Sequence, residues 1–470
     1  MSLDKATALH KQGRFHLAEP EYLKALAQDF DNFNILYALA TLYFQTGKHG
    51  LAAILYKQTI MFKKDHFEAW NNLGNCYKSI NKDEESEMCW RKCLDIKGKT
   101  DADYADIYNN LATLYVNLGT PEKGLEFVNK ALEATPGHPD ANWNKALLTL
   151  ESGKYGEGFD LYKWGFNTKH RNDRSFGGNI PYWDGSPGKR VVVWGEQGIG
   201  DEILFASMMP DLINISKSIV FECHPRMVKL FENSFGCEKL HIYGTRKDAF
   251  VAWPHKHPEI DARVSIGDLG KWFRRDLSMF PKRSGYLKAI DDRVEYYTNR
   301  LDKISDRPKI GISWIGGYQK TRKDFRSIPL EKWKPVLECD ADFISLQYTP
   351  NAYDEISIVE DKFDVRIHHW PSAIQCEDYH ETAALVSALD LVITVNTAVH
   401  HLTGALGKPG WTLTPKGKAW RYYTPDGEHF PWYPSMRCIE QPLIGEWDPM
   451  LERTAHELKE TLERSKVSVY

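Results

Sequence analysis

A chain of 470 residues is too long for one ordinary hydrophobic core and predicts two or three domains. With 26% charged residues, a formal net charge of -4 and no long apolar run, it reads as a soluble globular protein, which disfavours a membrane span or a dedicated nucleic-acid binder. Its eight cysteines form no CxxC pair, suggesting neither a disulfide framework nor a zinc site, and the start MSLDKATALHKQG lacks a signal-peptide apolar core, which predicts a cytoplasmic protein.

Residues 1–166 repeat with a period near 34, the tetratricopeptide spacing, and predict an α-solenoid of about five repeats. The clearest unit has Trp70, Leu73, Gly74 and Tyr77 on a first helix and Trp90 on a second. Its neighbours carry Leu36, Tyr43, Gly47, Ala52 and Tyr56 before it, and Tyr108, Leu111, Tyr115, Gly124 and Ala131 after it. Weaker units hold Gly13, Ala18, Tyr22 and Ala25, and Ala146, Gly153, Gly158 and Tyr162. Small residues let paired helices approach while aromatics fill the gap on the next, so these positions are core. Cys89 and Cys93, one helical turn apart, read as buried thiols. Such arrays bind proteins or peptides, which makes a protein partner the expectation; the inward polar positions that would do so are not singled out by one sequence.

Residues 167–189 turn polar and glycine-rich and read as a linker. Apolar runs of strand length then alternate with helical patterns: VVVW at Val191, SIVFEC at Ser218, KIGISW at Lys309, DFISLQ at Asp342, DLVITV at Asp390 and WTLT at Trp411. Alternation of this kind predicts parallel sheets with crossover helices. A charged helical stretch, 291–308, ends at Pro308 and separates one α/β unit at 190–290 from a second at 309–470. Two Rossmann-like units with a cleft between them form the GT-B architecture of nucleotide-sugar glycosyltransferases, although fold alone does not decide function.

The most informative block is RVVVWGEQGIGDEILFA, Arg190 to Ala206: a strand, a glycine-rich turn, then a helix start carrying Asp201. Gly195, Gly198 and Gly200 do not have the GxGxxG spacing, so a dinucleotide cofactor is disfavoured, but a ligand is expected where a glycine turn opens a helix. Further blocks follow in order: GISWIGG with RSIPL, FISLQ, DLVITVNTAVHHLTGALGKP, and PWYPSMR with EWDPML. Together with LESGKYGEGFDLYKWGF and PYWDG, the chain resembles bacterial proteins that join a tetratricopeptide array to a glycosyltransferase family 9 domain, similar to the lipopolysaccharide heptosyltransferases.

That resemblance implies an inverting transfer from a nucleotide-diphosphate sugar, with no metal or other cofactor, the donor on the C-terminal unit and the acceptor on the N-terminal unit. A protein acceptor would be recruited by the array. Asp201 falls where the family places its proposed catalytic aspartate, with a helix N-terminal carboxylate as the alternative reading. Glu196, in the same turn, is the substitute catalytic candidate, and Gly198 and Gly200 let backbone approach the substrate. Asn396, Thr397, Ala398 and Val399 open a helix whose amides suit phosphate oxygens; the family usually has aspartate where Asn396 stands. His401 matches the family histidine, and its adjacency to His400 does not make a metal site, since neighbouring helix residues diverge. Arg326 aligns with a family lysine that contacts donor phosphates, with Lys320, Arg322 and Lys323 before it, and Gln347 is implied near the nucleotide base or else is a core-edge amide. Trp420 and Arg421 either close over the donor or pack with Trp432 and Tyr433; His368 and His369 read as structural. The competing reading from another class is a scaffold, an array attached to a glycosyltransferase-like domain that no longer turns over. A third reading is kinship to the O-linked N-acetylglucosamine transferases, against which the ordered blocks argue.

Overall fold

Paired helices fill the first third of the computed structural model, which describes residues 2–248, 250–257, 259–317 and 323–467. The chain divides into two compact units, Met1–Lys145 and Ala146–Tyr470. The first consists of the pairs Ser2–Lys11 with Phe15–Gln28, Phe33–Gln45 with His49–Phe62, Phe67–Ser79 with Asp83–Asp95, and Asp101–Asn117 with Pro121–Ala134, then the start of Pro139–Glu151. Caps fix where helices begin: the Asn32 side chain accepts from the amides of Asn34 and Ile35, and Thr100 and Asp103 form a reciprocal capping box. The glycine at position 74 is a packing requirement, because a Cβ there would lie 2.6 Å from Nε1 of the buried Trp90 indole.

The first helices of successive pairs are stitched by amides. Asn72 donates to the Tyr37 hydroxyl at 3.1 Å, Asn110 to Asn71 Oδ1 at 3.0 Å, and Asn144 to Asn109 Oδ1 at 2.8 Å. These half-buried side chains recur once per repeat and leave further amide donors and acceptors at the surface.

The second unit starts with the rest of the fifth repeat, whose helix Tyr155–Leu161 and turn Tyr162–Asn167 aim aromatics into an α/β core. Tyr155 meets Phe280 at a ring-centroid distance of 4.9 Å, and Tyr162 meets Trp420 at 6.1 Å. The sequence boundary at 166/167 thus lies inside this compact unit rather than at its edge.

Two sheets follow. The first joins β1 (Arg190–Trp194), β2 (Ser218–Glu222), β3 (Leu240–Tyr243) and β4 (Ala262–Ser265) in the order β3-β2-β1-β4, all parallel. The second comprises β5 (Lys309–Ser313), β6 (Asp342–Ser345), β7 (Ile367–His369), β8 (Leu391–Val395), β9 (Gly410–Thr414), β10 (His429–Phe430) and β11 (Tyr433–Glu440). Its order is β10-β11-β9-β8-β5-β6-β7, parallel except for the β10–β11 hairpin. The runs VVVW, IGIS and VITV are buried throughout, as parallel strands covered on both faces must be. In each sheet the chain order reverses beside one strand, β1 in the first and β5 beside β8 in the second. Crevices beyond the carboxyl ends of such strands are where open α/β sheets hold ligands.

The stretch read as a linker is fastened to the first sheet. Arg171, with no exposed side-chain area, makes two 2.7 Å bonds to Glu196 and 2.8 Å bonds to Asp268 and the Tyr162 carbonyl. Arg174 pairs with the buried Glu222 at 2.7 Å, and Arg263 reaches back to Asp173 at 2.6 Å.

Candidate functional site

The loops after β1 and β8 bring two helix starts together. Helix Ile199–Ala206 begins after Gly198, and helix Ala398–Ala405 begins after Thr397. A Cβ on Gly200 would stand 2.8 Å from the His401 ring and 3.5 Å from Ala398 Cα, so the helices touch where only a glycine fits. The first amides of each helix lack intrahelical acceptors and carry the positive end of the macrodipole, which makes their meeting point attractive to an anion.

Asp201 Oδ2 accepts the Gly198 amide at 2.9 Å, fixing the turn, while its Oδ1 accepts Nε of Arg421. Nη2 of Arg421 donates to Gln197 Oε1, and Gln197 Nε2 donates to the Tyr162 hydroxyl at 3.3 Å. Gln197 holds this position with φ of 61°, a left-handed conformation that costs a non-glycine residue energy and so marks an over-determined loop. Behind it Glu202 is fully buried, bonded to Arg246 at 2.5 Å and to the His224 amide at 3.0 Å; burial pushes its carboxyl up to about 7.

On the other side, Arg326 Nη1 donates to the Asn396 carbonyl at 3.1 Å, and Asn396 Oδ1 accepts from Thr414 at 3.1 Å. Asn396 Nδ2 and the Thr397 hydroxyl, on residues 1% and 4% exposed, have no hydrogen-bond partner among the described residues, and Thr397 makes no side-chain cap bond. Val399 is buried beneath this turn. His401 is held between the hydroxyls of Tyr433, 3.0 Å from Nδ1, and Tyr422, 3.3 Å from Nε2. Burial and the guanidiniums of Arg421 and Arg326 push it down to about 3, so it is a neutral imidazole that orients tyrosines. His400 is turned to Thr412 at 2.6 Å.

Of the residues expected from sequence, Asp201, Gly198, Gly200, Arg326, Asn396, Thr397, Ala398 and His401 are therefore neighbours around the two helix starts, hereafter the crevice. Gln347 stands apart from them, as a buried amide whose Oε1 accepts from Ser313, Trp314 and Ile315 and so ties down the loop after β5. Glu196 requires a correction: expected as a substitute catalytic carboxylate, it has both oxygens committed to Arg171 and Oε1 also accepts from Ser265. A buried carboxylate neutralised in this way is a counter-ion, because withdrawing it would strand the guanidinium. Lys320 and Arg322 lie outside the described residues, while Lys323 opens the short helix Lys323–Arg326. Trp420 is buried among Tyr162, Phe205 and Trp432, whereas its neighbour Arg421 belongs to the crevice. Among the described residues, no three His, Cys, Asp or Glu side chains are grouped to hold a metal ion, and no helix is long and apolar enough to cross a membrane.

Sequence reasoning missed Arg171 and Gln197, whose partners lie at separations that carry no local pattern. It also missed the amide ladder, although asparagines at 71 and 72, 109 and 110, and 144 do follow the repeat period.

Family models described as tetratricopeptide repeat match residues 3–64, 67–100 and 105–138, so the first third carries these repeats. The chain is similar to Protein FlbA of Caulobacter vibrioides, 27% identical over 508 residues that cover 97% of this chain and 83% of that protein. A shorter similarity, 32% identical over 101 residues, links it to Protein O-mannosyl-transferase TMTC3 of Homo sapiens; it covers 21% of this chain and only 11% of that protein. Among solved structures, MamA covers 34% of this chain and 92% of its own at 22% identity with a TM-score of 0.31. YrrB, described as a TPR protein with an unusual peptide-binding site, covers 31% of this chain and 73% of its own at 17% identity with a TM-score of 0.27.

Proposed function

We propose that the α/β unit is a GT-B glycosyltransferase of the heptosyltransferase-like kind. In this reading 190–290 is the acceptor half, 309–470 the nucleotide-sugar donor half and 291–308 the connection between them. The observation that carries the proposal is the meeting of the Gly198 and Thr397 helix starts with Asp201, Arg326 and Arg421. An acceptor hydroxyl attacks the anomeric carbon from the face opposite the leaving group and gives its proton to Asp201. The new glycosidic bond forms as the bond from carbon to the diphosphate oxygen breaks. Charge gathering on that oxygen is stabilised by amides after Thr397 and by Arg326. No divalent ion is required, since backbone donors and guanidinium groups supply the positive field. Gly198 keeps the acceptor-side turn free of a side chain, Gly200 lets the two helix starts touch, and Gln347 shapes the loop that would flank the nucleotide.

The array is proposed to recruit a protein or peptide acceptor. The tetratricopeptide repeats support that reading, and the ladder from Tyr37 to Asn144 offers half-buried amide donors and acceptors to a peptide main chain. The small overlap with an O-mannosyl-transferase supports no specific sugar. One observation favours the scaffold reading: Asp201 is already engaged by Arg421 and the Gly198 amide, an arrangement that an inactive domain would also keep. The test is a thermal-shift panel of nucleotide sugars, followed by transfer or slow donor hydrolysis with wild type and Asp201→Asn. Loss of turnover without weaker donor binding is the expected result, and it identifies a residue that acts in the transition state.

A further inference from the structure

Arg421 is placed between two uses. It lies in the turn Trp420–Tyr422 after β9, 18% exposed, with Nε on Asp201 and Nη2 on Gln197, while Nη1 has no partner among the described residues. Close by are Arg326 on the Asn396 carbonyl, the unpartnered Thr397 hydroxyl and the unpartnered Asn396 amide. Among these charged groups are two guanidiniums and one carboxylate, and the histidine between them is neutral. Among the described residues the crevice is therefore rich in hydrogen-bond donors. Resting on the reading of the unit as a glycosyltransferase, we propose that Arg421 is a diphosphate ligand. In this proposal the incoming anion draws Arg421 off Asp201 and frees the carboxylate to take the acceptor proton.

The physical reason is competition for one guanidinium. A diphosphate carries more charge than a carboxylate and presents paired oxygens that match the arginine fork, so it outcompetes Asp201 for Nε and the Gln197 amide oxygen for Nη2. Gln197 keeps Arg421 in reach: its strained backbone holds Oε1 toward the guanidinium, its amide rests on Tyr162, and its carbonyl accepts from Arg246 at 2.9 Å. The exchange makes donor binding precede activation of the base, so that Asp201 is shielded until a leaving group is present.

Inorganic pyrophosphate is the probe, titrated calorimetrically into the full chain. Arg421→Gln is expected to weaken binding by about tenfold or more, the loss of a charge-assisted contact. Asp201→Asn is expected to tighten it several-fold, because the competitor for Arg421 is gone, and that gain should shrink when Arg421→Gln is also present. Binding unchanged by Arg421→Gln, or an Asp201→Asn gain that is equal in both backgrounds, would overturn the exchange. Where Arg421→Gln fails to fold, Arg421→Lys keeps a cation beside Asp201 but loses the fork; several-fold weaker binding supports the proposal and unchanged binding overturns it. If wild type binds neither pyrophosphate nor any nucleotide sugar, the glycosyltransferase reading itself fails, an outcome distinct from binding that ignores Arg421.

Discussion

The repeat array's amide ladder and the crevice of the α/β unit use polar side chains differently. In the array amides of the first helices bond to the preceding repeat, Asn110 donating to Asn71 and Asn144 to Asn109, so polarity serves cohesion between neighbours. In the α/β unit the crevice keeps Thr397 and Asn396 donors unanswered and holds a strained Gln197, although burying such groups without partners opposes folding. The array's ladder is paired and repeated, whereas at the Asp201 crevice unpartnered Asn396 and Thr397 groups, a left-handed Gln197 and two guanidiniums coincide, so a ligand is expected there.

The largest effect should come from the fastening of residues 167–189. Arg171→Ala leaves the buried Glu196 and the half-buried Asp268 without their cation, and should destabilise the α/β unit by about 3–5 kcal/mol in chemical denaturation. A chain trimmed to begin near Ile180 should fail for the same reason, because it also loses Arg174 from Glu222. Measuring the unfolding midpoint separates this structural loss from any loss of acceptor recognition; a trimmed chain as stable as the whole would refute the fastening.

Next are the two close approaches. Gly74→Ala drives a methyl against Trp90, and Gly200→Ala drives one against His401, so each should cost about 1–3 kcal/mol. Only Gly200→Ala should also weaken pyrophosphate binding, since it spreads the helix starts. Equal pyrophosphate affinity in both variants would remove the distinction between the two regions.

Acid should act on the second unit through histidines held neutral. Burial pushes His401 down to about 3 and His224 down to about 4, against an ordinary value of 6.5. Their stabilisation is thus complete above pH 6.5 and is lost as the pH falls toward 4, by about 1.4 kcal/mol per pH unit for each group. Glu202, raised by burial, works the other way between 4.5 and 7, favouring the folded state as the pH falls. His401→Gln should therefore flatten the stability profile between pH 6.5 and 5, whatever it costs overall. A profile parallel to wild type would contradict the neutral, buried imidazole.

The smallest effect is expected in the ladder. Asn110→Ala removes one half-exposed amide contact and should cost about 0.5–1.5 kcal/mol while leaving pyrophosphate binding untouched. If the ladder recruits an acceptor, the same change should lower transfer to a protein acceptor without lowering donor hydrolysis.

These contrasts also explain what was legible in the sequence. β1, β5, β8 and β9 were readable because strands buried on both faces are continuous apolar runs. β3 and β7 are short edge strands with half-exposed residues, β4 carries Arg263 in its middle, and β11 contains Pro434, so none presents such a run. The repeats were legible because packing glycines and aromatics recur at one spacing. In the crevice, Asp201, Arg326, Thr397 and His401 followed from the ordered blocks that carry the family resemblance. Glu196 was misread because its partner, Arg171, sits in a stretch whose composition looks like a tether. The sequence leaves two roles open for Arg421 because its contact with Asp201 spans 220 positions, a pairing that only the fold creates.

The proposed function requires that a diphosphate-linked donor be bound and activated at the Asp201 crevice. The most direct test is donor hydrolysis measured beside thermal shift for a nucleotide-sugar panel, with wild type and Asp201→Asn on equally folded preparations and with EDTA present. At least one nucleotide sugar is expected to raise the melting temperature of both proteins, to be slowly hydrolysed by wild type despite the chelator, and to be left intact by Asp201→Asn. Hydrolysis by Asp201→Asn at the wild-type rate, or a panel that shifts neither protein, would contradict it.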